Sequence, residues 1–489
     1  MAVVIGLDIG TTTTKACAYE VGEWNRVLAS ASRPSRTLQV GPNGSECRPA
    51  EVLRLVEECL GSVTDAVDRS AVQAIGITGT ACGAWLSDDS GLPVRNAILW
   101  NDGRAREVLE TWASTGVLDL IFDVSGNAPF PGYTLAVLAW MKANEADTLS
   151  RASSVLMCKD WVRLQMSGDT ATDETDASFV PFDIRNRRWS SELLTATGLA
   201  DLADLFPPIE PSDRCFELST DFADRCGLRP GLSVGIGATD IAAGVVGAGG
   251  VATGQAITIL GTSSNSSLIT DVPDFTPRLA GIMAVHPLAG FIRTMVNTSG
   301  STTLDWGASL LAGGSVEALL ELAGECGIDD DRPIMIPYLS DAGVVSPVVA
   351  PGATGSLHGL RLRHLGPAIA RAIVEGLAFA TADCLNGMAR KPVDVTAVGG
   401  ASRSDLLLQS IADATGTPVR RIHGDQAGAR GAGILASWGS GLLTHAEAVE
   451  QASAVVVDRT FEPSNERIAE RFERYLQLRA AAIRPMGAS

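Results

Sequence analysis

Two aspartates, Asp8 and Asp240, stand in stretches built otherwise of small and apolar residues. A carboxylate in such surroundings needs a partner or a task, because lone charge is costly away from water. Asp8 lies in VVIGLDIGTTTTKACAY, residues 3–19. Val3-Val4-Ile5 is an apolar run of strand type. Gly10 and Thr11 to Thr14 then form a turn, and the chain becomes apolar again after Lys15, which predicts a strand-turn-strand hairpin. Glycine lets backbone approach a ligand closely, and successive turn N–H groups make a concavity for an anion. A carboxylate beside an anion site points to a divalent cation between them, since Mg²⁺ is commonly held by one or two carboxylates plus substrate phosphates. A plain hairpin with a solvated aspartate is the alternative.

A second stretch repeats the device. Residues 256–269, AITILGTSSNSSLI, again run from apolar residues into Gly261-Thr262, then hydroxyls, then apolar residues. The two lie about half a chain apart, as a duplicated domain would place them. Facing each other across a cleft, they would hold a polyphosphate from both sides. The second copy has no carboxylate, so only one side would carry metal. Asp240 sits in GATDIAAG, after an expected strand at 232–236. It reads as a positioned base or as a helix N-cap, and capping would itself fix the side chain. Near the end of the chain, Val393 to Val398 predicts a strand running into Gly399-Gly400-Ala401-Ser402-Arg403-Ser404 and then a helix. Such a turn can admit a flat ligand against bare backbone.

These groups need elements to carry them. A helix is expected over 48–68, with Val52, Leu55, Val56 and Leu60 at helical spacing. Strands are expected at Val72–Thr78, Trp85–Leu86 and Ala97–Trp100. They bring Thr80, Cys82, Trp100 and Asp102 to one rim, where α/β proteins bind ligands. Residues 105–164 read as largely helical. The run Thr172-Asp173-Glu174-Thr175-Asp176 reads as solvated face. Asn297 to Ser301 forms another small hydroxyl turn. Residues 366–388 form a helix apolar on most faces and buried between layers, and 464–482 a closing amphipathic helix.

With 489 residues, two or more domains are expected. Apolar residues at 46% and charged residues at 19% suit a well-buried enzyme. The net charge of −18 and a pI near 4.7 argue against nucleic acid and anionic membrane as partners. An anionic substrate must therefore be held locally. No apolar run approaches the ~18 residues of a membrane span, and no basic leader segment is visible. Nine cysteines without a C-x-x-C pair read as reduced thiols of a cytoplasmic protein, and five scattered histidines give no zinc pattern.

Taken together, the chain resembles the FGGY family of carbohydrate kinases, within the superfamily of actin, hexokinase and the heat-shock ATPases. GLDIGTTTTK is similar to that family's first phosphate motif, ILGTSS to the second, and VGGASRSDLLLQSIADATGTPV to its adenosine motif. GATDIAAG is similar to the segment bearing its catalytic aspartate. GSLHGLRLRHLGPAIARAIVE, residues 355–375, resembles its C-terminal signature, departing at Ala368. Around Gly132, Thr134 and Trp140 the N-terminal signature is weaker, with Val137 and Ala143 as departures. The resemblance implies two duplicated ribonuclease-H-like α/β domains, 1–245 and 246–489, with a cleft between them. It implies ATP and Mg²⁺, a small sugar or polyol as acceptor, and an assembly that leaves a homodimer open. Asp8 would hold Mg²⁺. Thr11, Thr12, Thr13 and Lys15, with Gly261, Thr262, Ser263 and Gly300, would line the phosphates. Gly399, Gly400, Ala401 and Ser404 would seat adenosine, and Asp240 would take the acceptor's proton. WNDGR, residues 100–104, matches the xylulokinases, whereas Thr80-Ala81-Cys82 replaces their Gln-Met-His sugar contact. GYTLAVLAWMKANE and ATDETDAS stand closer to the L-xylulose and erythritol kinase branches. A pentulose is the expected acceptor, with Thr80, Cys82, Trp100, Asp102 and Asp240 around it and Cys82 as a wall residue. A tetritol or pentitol is the alternative, and a non-catalytic sugar or nucleotide sensor the rival from another class.

Overall fold

The computed structural model describes residues 2–327, 331–340, 343–424 and 426–483. Val3–Ile9 is buried along its length except at Asp8, the pattern of a strand covered on both faces. It pairs antiparallel with Thr13–Glu20 and parallel with Val72–Gly79. The first sheet runs Val27–Pro34, Thr13–Glu20, Val3–Ile9, Val72–Gly79, Ser233–Gly235, Cys215–Glu217. Ala238–Thr239 also pairs with the end of Val72–Gly79.

The second sheet repeats this order. Gln255–Leu260 and Ser264–Thr270 form its hairpin, and Asp394–Val398 lies parallel to the first of them. Phe291–Asn297 extends the hairpin on one side, and Val419–Ile422 follows on the other. In each sheet a strand antiparallel to the hairpin's second strand, the hairpin itself and two strands parallel to its first strand stand in the same spatial order, with an antiparallel strand at that edge; the second sheet adds Ile282–Val285 outside Phe291–Asn297. The chain is thus two similar α/β domains. Among the described residues no helix is long and apolar enough to cross a membrane.

Two helices cross between the sheets, Asp240–Gly247 from the first half and Ala427–Gly439 from the second. Their contact requires small residues. A Cβ on Gly431 would fall 1.9 Å from the carbonyl oxygen of Ala243, and one on Gly247 would fall 1.8 Å from that of Ala427. Ala427–Gly439 also lies against the first sheet, where Gly6 and Gly76 meet the backbone of Ala429 and Ala432. Helix Gly366–Asn386, buried from Ala370 to Leu385, packs in the apolar core of the second half, as its all-round apolar pattern predicts.

Three expectations need correction. The strand at Ala97 ends at Ile98, because Leu99 and Trp100 pass into a turn. The helical stretch 105–164 holds a short strand, Ser154–Leu156, paired with Trp85–Ser87. The acidic run at 172–176 is not a solvated face: Thr172, Asp173, Thr175 and Asp176 are buried. Lys159, itself fully buried, lies 2.6 Å from Asp160, 2.9 Å from Asp173 and 3.0 Å from Asp176. Burial alone would push its ammonium toward neutrality, but the three carboxylates outweigh that and raise its pKa. Burial likewise drives Asp176 well above the usual carboxylate range.

Candidate active site

Asp8, Thr78 and Asp240 come to one place because their strands do. Asp8 lies opposite Thr78 in the parallel pair, and Ala238 lies opposite Thr78 on the other side. Asp240 follows two residues later as the first residue of its helix. All three therefore stand at the C-terminal ends of adjacent parallel strands, the ligand-binding edge of an α/β sheet. The cap of the Asp240 helix is Thr239, whose hydroxyl accepts from Ala242 N–H. The capping reading of Asp240 is thus corrected: its carboxylate accepts the adjacent Ile241 N–H at 2.8 Å, and the residue is half-buried.

Both carboxylates hold their protons unusually tightly. Burial raises Asp8 to about 6, with Lys15 opposing the shift from across the hairpin. Burial, reinforced by the charge of Asp8, raises Asp240 to about 7. Two neighbouring carboxylates with hydroxyls beside them form a donor set that suits Mg²⁺ delivered with a nucleotide. No group of three or more His, Cys, Asp or Glu able to hold a metal unaided occurs among the described residues. The backbone of Gly428 closes the far side of Asp8: a Cβ there would lie 2.4 Å from Oδ2.

The turn Gly10-Thr11-Thr12 closes on itself through Gly10 N–H to the Thr13 carbonyl at 3.0 Å. Thr12 is exposed, while Thr11, Thr13 and Lys15 are half-buried. The second turn, Gly261-Thr262-Ser263, has equal length. Ser301 N–H donates to the Gly261 carbonyl at 2.7 Å, and the Thr302 hydroxyl to that of Thr262 at 3.3 Å. Gly300 lies flat on this turn, where a Cβ would meet the backbone of Ser263 at 2.5 Å. Gly399, at φ +94°, abuts Leu260 at the end of the hairpin's first strand. Gly261, Thr262, Ser263, Gly300 and Gly399 therefore form one group. Gly400 borders open space, whereas Ala401 is buried. Ser404 is buried too, its hydroxyl capping helix Asp405–Thr415 by accepting from Leu407 N–H.

The rim of Thr80, Cys82, Trp100 and Asp102 is built backbone against backbone. Thr80 N–H donates to the Ile9 carbonyl, and Gly83 N–H to that of Gly132. A Cβ on Gly132 would strike the Trp100 carbonyl oxygen. Cys82 has φ +67° and is buried, and burial together with Asp176 and Asp240 keeps its thiol protonated. Trp100 is exposed, and its indole N–H donates to the Thr11 hydroxyl at 3.0 Å, joining this rim to the first hairpin. Asp102 is buried and occupied: it accepts from Ser45 N–H at 2.7 Å and from the backbone and guanidinium of Arg104.

Several site residues escaped the sequence reading. Gly428, Lys159, Thr175 and Thr78 all meet Asp8 or the backbone leading to Asp240. The small-residue run 427–433, AGARGAG, was the available signal for Gly428. A pocket of about 430 Å³ lies beside Gly399 and Ser402, walled by Arg403, Arg421, His423 and Asp458. Its far wall follows the strand Val419–Ile422, whose end stands on the same edge of the second sheet as Gly399.

Residues 3–247 match the N-terminal domain of the FGGY family of carbohydrate kinases, and residues 256–440 match its C-terminal domain. The chain belongs to the FGGY family. It is 34% identical over 444 residues to the xylulose kinase of Klebsiella pneumoniae, covering 88% of this chain and 89% of that one. It is 29% identical over 460 residues to the erythritol kinase of Brucella abortus, covering 89% and 87%. The crystal structure of a xyloylose kinase from Brucella ovis superposes with a TM-score of 0.90 at 29% identity, covering 98% of this chain and 99% of that one. A ligand-bound xylulose kinase from Lactobacillus acidophilus gives 0.93 at 22% identity, over 100% and 99%, and shares the fold. The protein is accordingly an enzyme, a carbohydrate or polyol kinase, and its family implies ATP as the phosphate donor.

Proposed function

We propose that this FGGY kinase transfers the γ-phosphoryl group of ATP to a hydroxyl of a pentulose of xylulose type. The observation that carries this reading is the placement of Asp8 and Asp240 side by side at one strand-end edge, beside a glycine-threonine hairpin. Asp240 accepts the proton of the attacking hydroxyl while the acceptor oxygen bonds to phosphorus and ADP leaves. Phosphoryl transfer needs in-line placement and charge neutralisation above all. A base of this kind is worth on the order of 10²–10⁴ in rate. Thr11, Thr12, Thr13 and Lys15 meet the phosphates from one side, and Thr262, Ser263 and the Gly300 turn from the other. Mg²⁺, held by Asp8, would neutralise phosphate charge. Adenosine lies along Gly399 and Gly400, with the Arg403–His423 pocket at its edge. Trp100 packs on the acceptor's C–H face. The nine cysteines, none in a disulfide among the described residues, and the net charge of −18 fit a cytoplasmic enzyme.

A four- or five-carbon polyol is the second acceptor class. It is favoured by Thr80-Ala81-Cys82, which offers one hydroxyl and a small wall at the rim, and by the likeness to an erythritol kinase. The test is ADP release with Mg-ATP across pentuloses, tetritols, pentitols, gluconate and glycerol, with Asp240→Asn in parallel. Strong stimulation by a pentulose, absent in the variant, is expected. Stimulation by erythritol alone would move the reading to the polyol. Tight binding of acceptor without any phosphorylated product would replace it with a sensor.

A further inference from the structure

The segment that delivers Asp240 is held at four successive residues, Ile236 to Thr239. Lys159 donates to the Ile236 carbonyl at 3.2 Å. Gly237, at φ +81°, lies so close to Ile77 that a Cβ would meet its carbonyl oxygen at 2.1 Å. The Thr78 hydroxyl donates to the Ala238 carbonyl at 2.7 Å. Thr239 N–H donates to the hydroxyl oxygen of Thr175 at 2.8 Å. Beyond these residues, the Asp240 carboxylate accepts its neighbour's N–H and lies beside Asp8.

Thr175 is held in turn. It lies in the single helical turn Glu174–Ala177, capped by Asp173, which accepts Thr175 N–H at 2.8 Å and Asp176 N–H at 3.3 Å. Asp173 is pinned by Lys159, the same side chain that holds Ile236. A fully buried ammonium among three carboxylates is a poor way to gain stability, since its desolvation offsets much of the attraction. It is a good way to fix two segments in one register. One side chain here ties the turn bearing Thr175 to the strand end leading to Asp240.

We infer that Thr175 is a positioning residue for Asp240, acting through the Thr239 N–H and held in register by the Lys159–Asp173 pair. This rests on the reading of Asp240 as the base. Misplacing a reacting group by a fraction of an ångström slows the chemical step without changing ground-state binding. Thr175→Val keeps the shape and removes the acceptor oxygen. It should lower kcat about 10- to 100-fold while leaving KM for acceptor and for ATP within about twofold, in protein whose near-ultraviolet circular dichroism is that of wild type. Thr175→Ser restores the oxygen and should restore kcat. Thr78→Val, which frees the Ala238 carbonyl, should produce the same split and serves if Thr175→Val does not fold. A kcat at wild-type level in the folded valine variant overturns the proposal. So does failure of serine to rescue, or a loss residing in KM. Asp240→Asn, assayed alongside, separates the two layers. If it stays active, the base assignment falls. If it is inactive while Thr175→Val is fully active, only the positioning role falls.

Discussion

The two hairpins at the centre of this kinase have the same shape and different chemistry. Each is a pair of antiparallel strands joined by a three-residue turn of glycine and hydroxyl residues. Each end abuts a glycine of a crossing helix. In the first, Asp8 lies against Gly428; in the second, the corresponding residue, Ile259, lies against Gly244. Across the hairpin Asp8 faces Lys15, whereas Ile259 faces Asn265. The crossing helices differ in the same sense, one beginning at Asp240 and the other at Ala427. The duplicated backbone thus builds two turns of like shape, but Asp8 and Asp240 both lie in the first half. On the proposed reading, one side holds the metal and takes the proton, while the other only grips phosphate. A symmetric pair of charged hairpins would crowd four carboxylates around a polyphosphate, and like charges there would repel the substrate.

Neutralising either carboxylate makes the first half resemble the second. The largest effect is expected at Asp240. Asp240→Asn keeps the shape and removes the base, so kcat for the best acceptor should fall by about 10²–10⁴, with nucleotide affinity close to wild type by fluorescence titration. A variant retaining more than a tenth of kcat would mean that the asymmetry is not catalytic. Asp8→Asn comes next. It should raise the Mg²⁺ concentration giving half-maximal rate and lower kcat/KM for Mg-ATP by roughly 10²-fold, since a bound cation contributes several kcal/mol of charge stabilisation. An unchanged Mg²⁺ titration would place the metal elsewhere.

How much of this was legible depended on range. The hairpins and the double-glycine turn were readable because their signals are local: apolar runs, glycines and hydroxyls within a dozen residues. The two-domain fold followed from seeing the device twice; the strand order did not. The acidic run at 172–176 was misread because the ion that neutralises it, Lys159, comes from an earlier helix, and periodicity carries no sign of that contact. Helix Ala427–Gly439 was missed as a site element for a similar reason. Its small residues matter only because another helix and a sheet press on both sides. Ser404 and Asp102 show the opposite effect. Their types suggested ligands, and folding commits Ser404 to a helix cap and Asp102 to Arg104 and Ser45.

A smaller effect should separate the hairpins by what tethers them. The second turn is tied to its own half through Ser301 and Thr302. The first is tied to the rim of Thr80, Cys82, Trp100 and Asp102, through Trp100 to Thr11. Trp100→Phe keeps an aromatic surface and removes the N–H. A hydrogen bond of this kind contributes about 1 kcal/mol, which predicts roughly a fivefold loss in kcat/KM for ATP when acceptor is saturating. Thr302→Val, the matching change on the other side, should leave any dependence of ATP affinity on the acceptor as in wild type. Equal ATP parameters for Trp100→Phe and wild type would make the tether idle.

The smallest expected signal is in stability, and its sign is set by the two carboxylates. Asp240 titrates near 7 in the folded chain against an ordinary value of 3.8, and Asp8 near 6. Well below pH 3.8 both are protonated in folded and unfolded chains alike and contribute nothing. As pH rises toward 7, the unfolded chain loses these protons first, so the folded state binds more protons and its relative stability falls. Above about pH 7 the penalty is complete and constant. In the absence of Mg²⁺ and nucleotide, the melting temperature of wild type should therefore drop by a few degrees relative to Asp240→Asn between about pH 4 and 7. The corresponding change in the second half, Ile259→Val, should show no such trend, because neither residue titrates. Mg-ADP should flatten the wild-type curve, since charge opposite the carboxylates lowers their pKa values. A wild-type melting temperature that runs parallel to that of Asp240→Asn across this range would mean that Asp240 is already ionised at low pH, and that the hairpins differ less in charge than their sequences do.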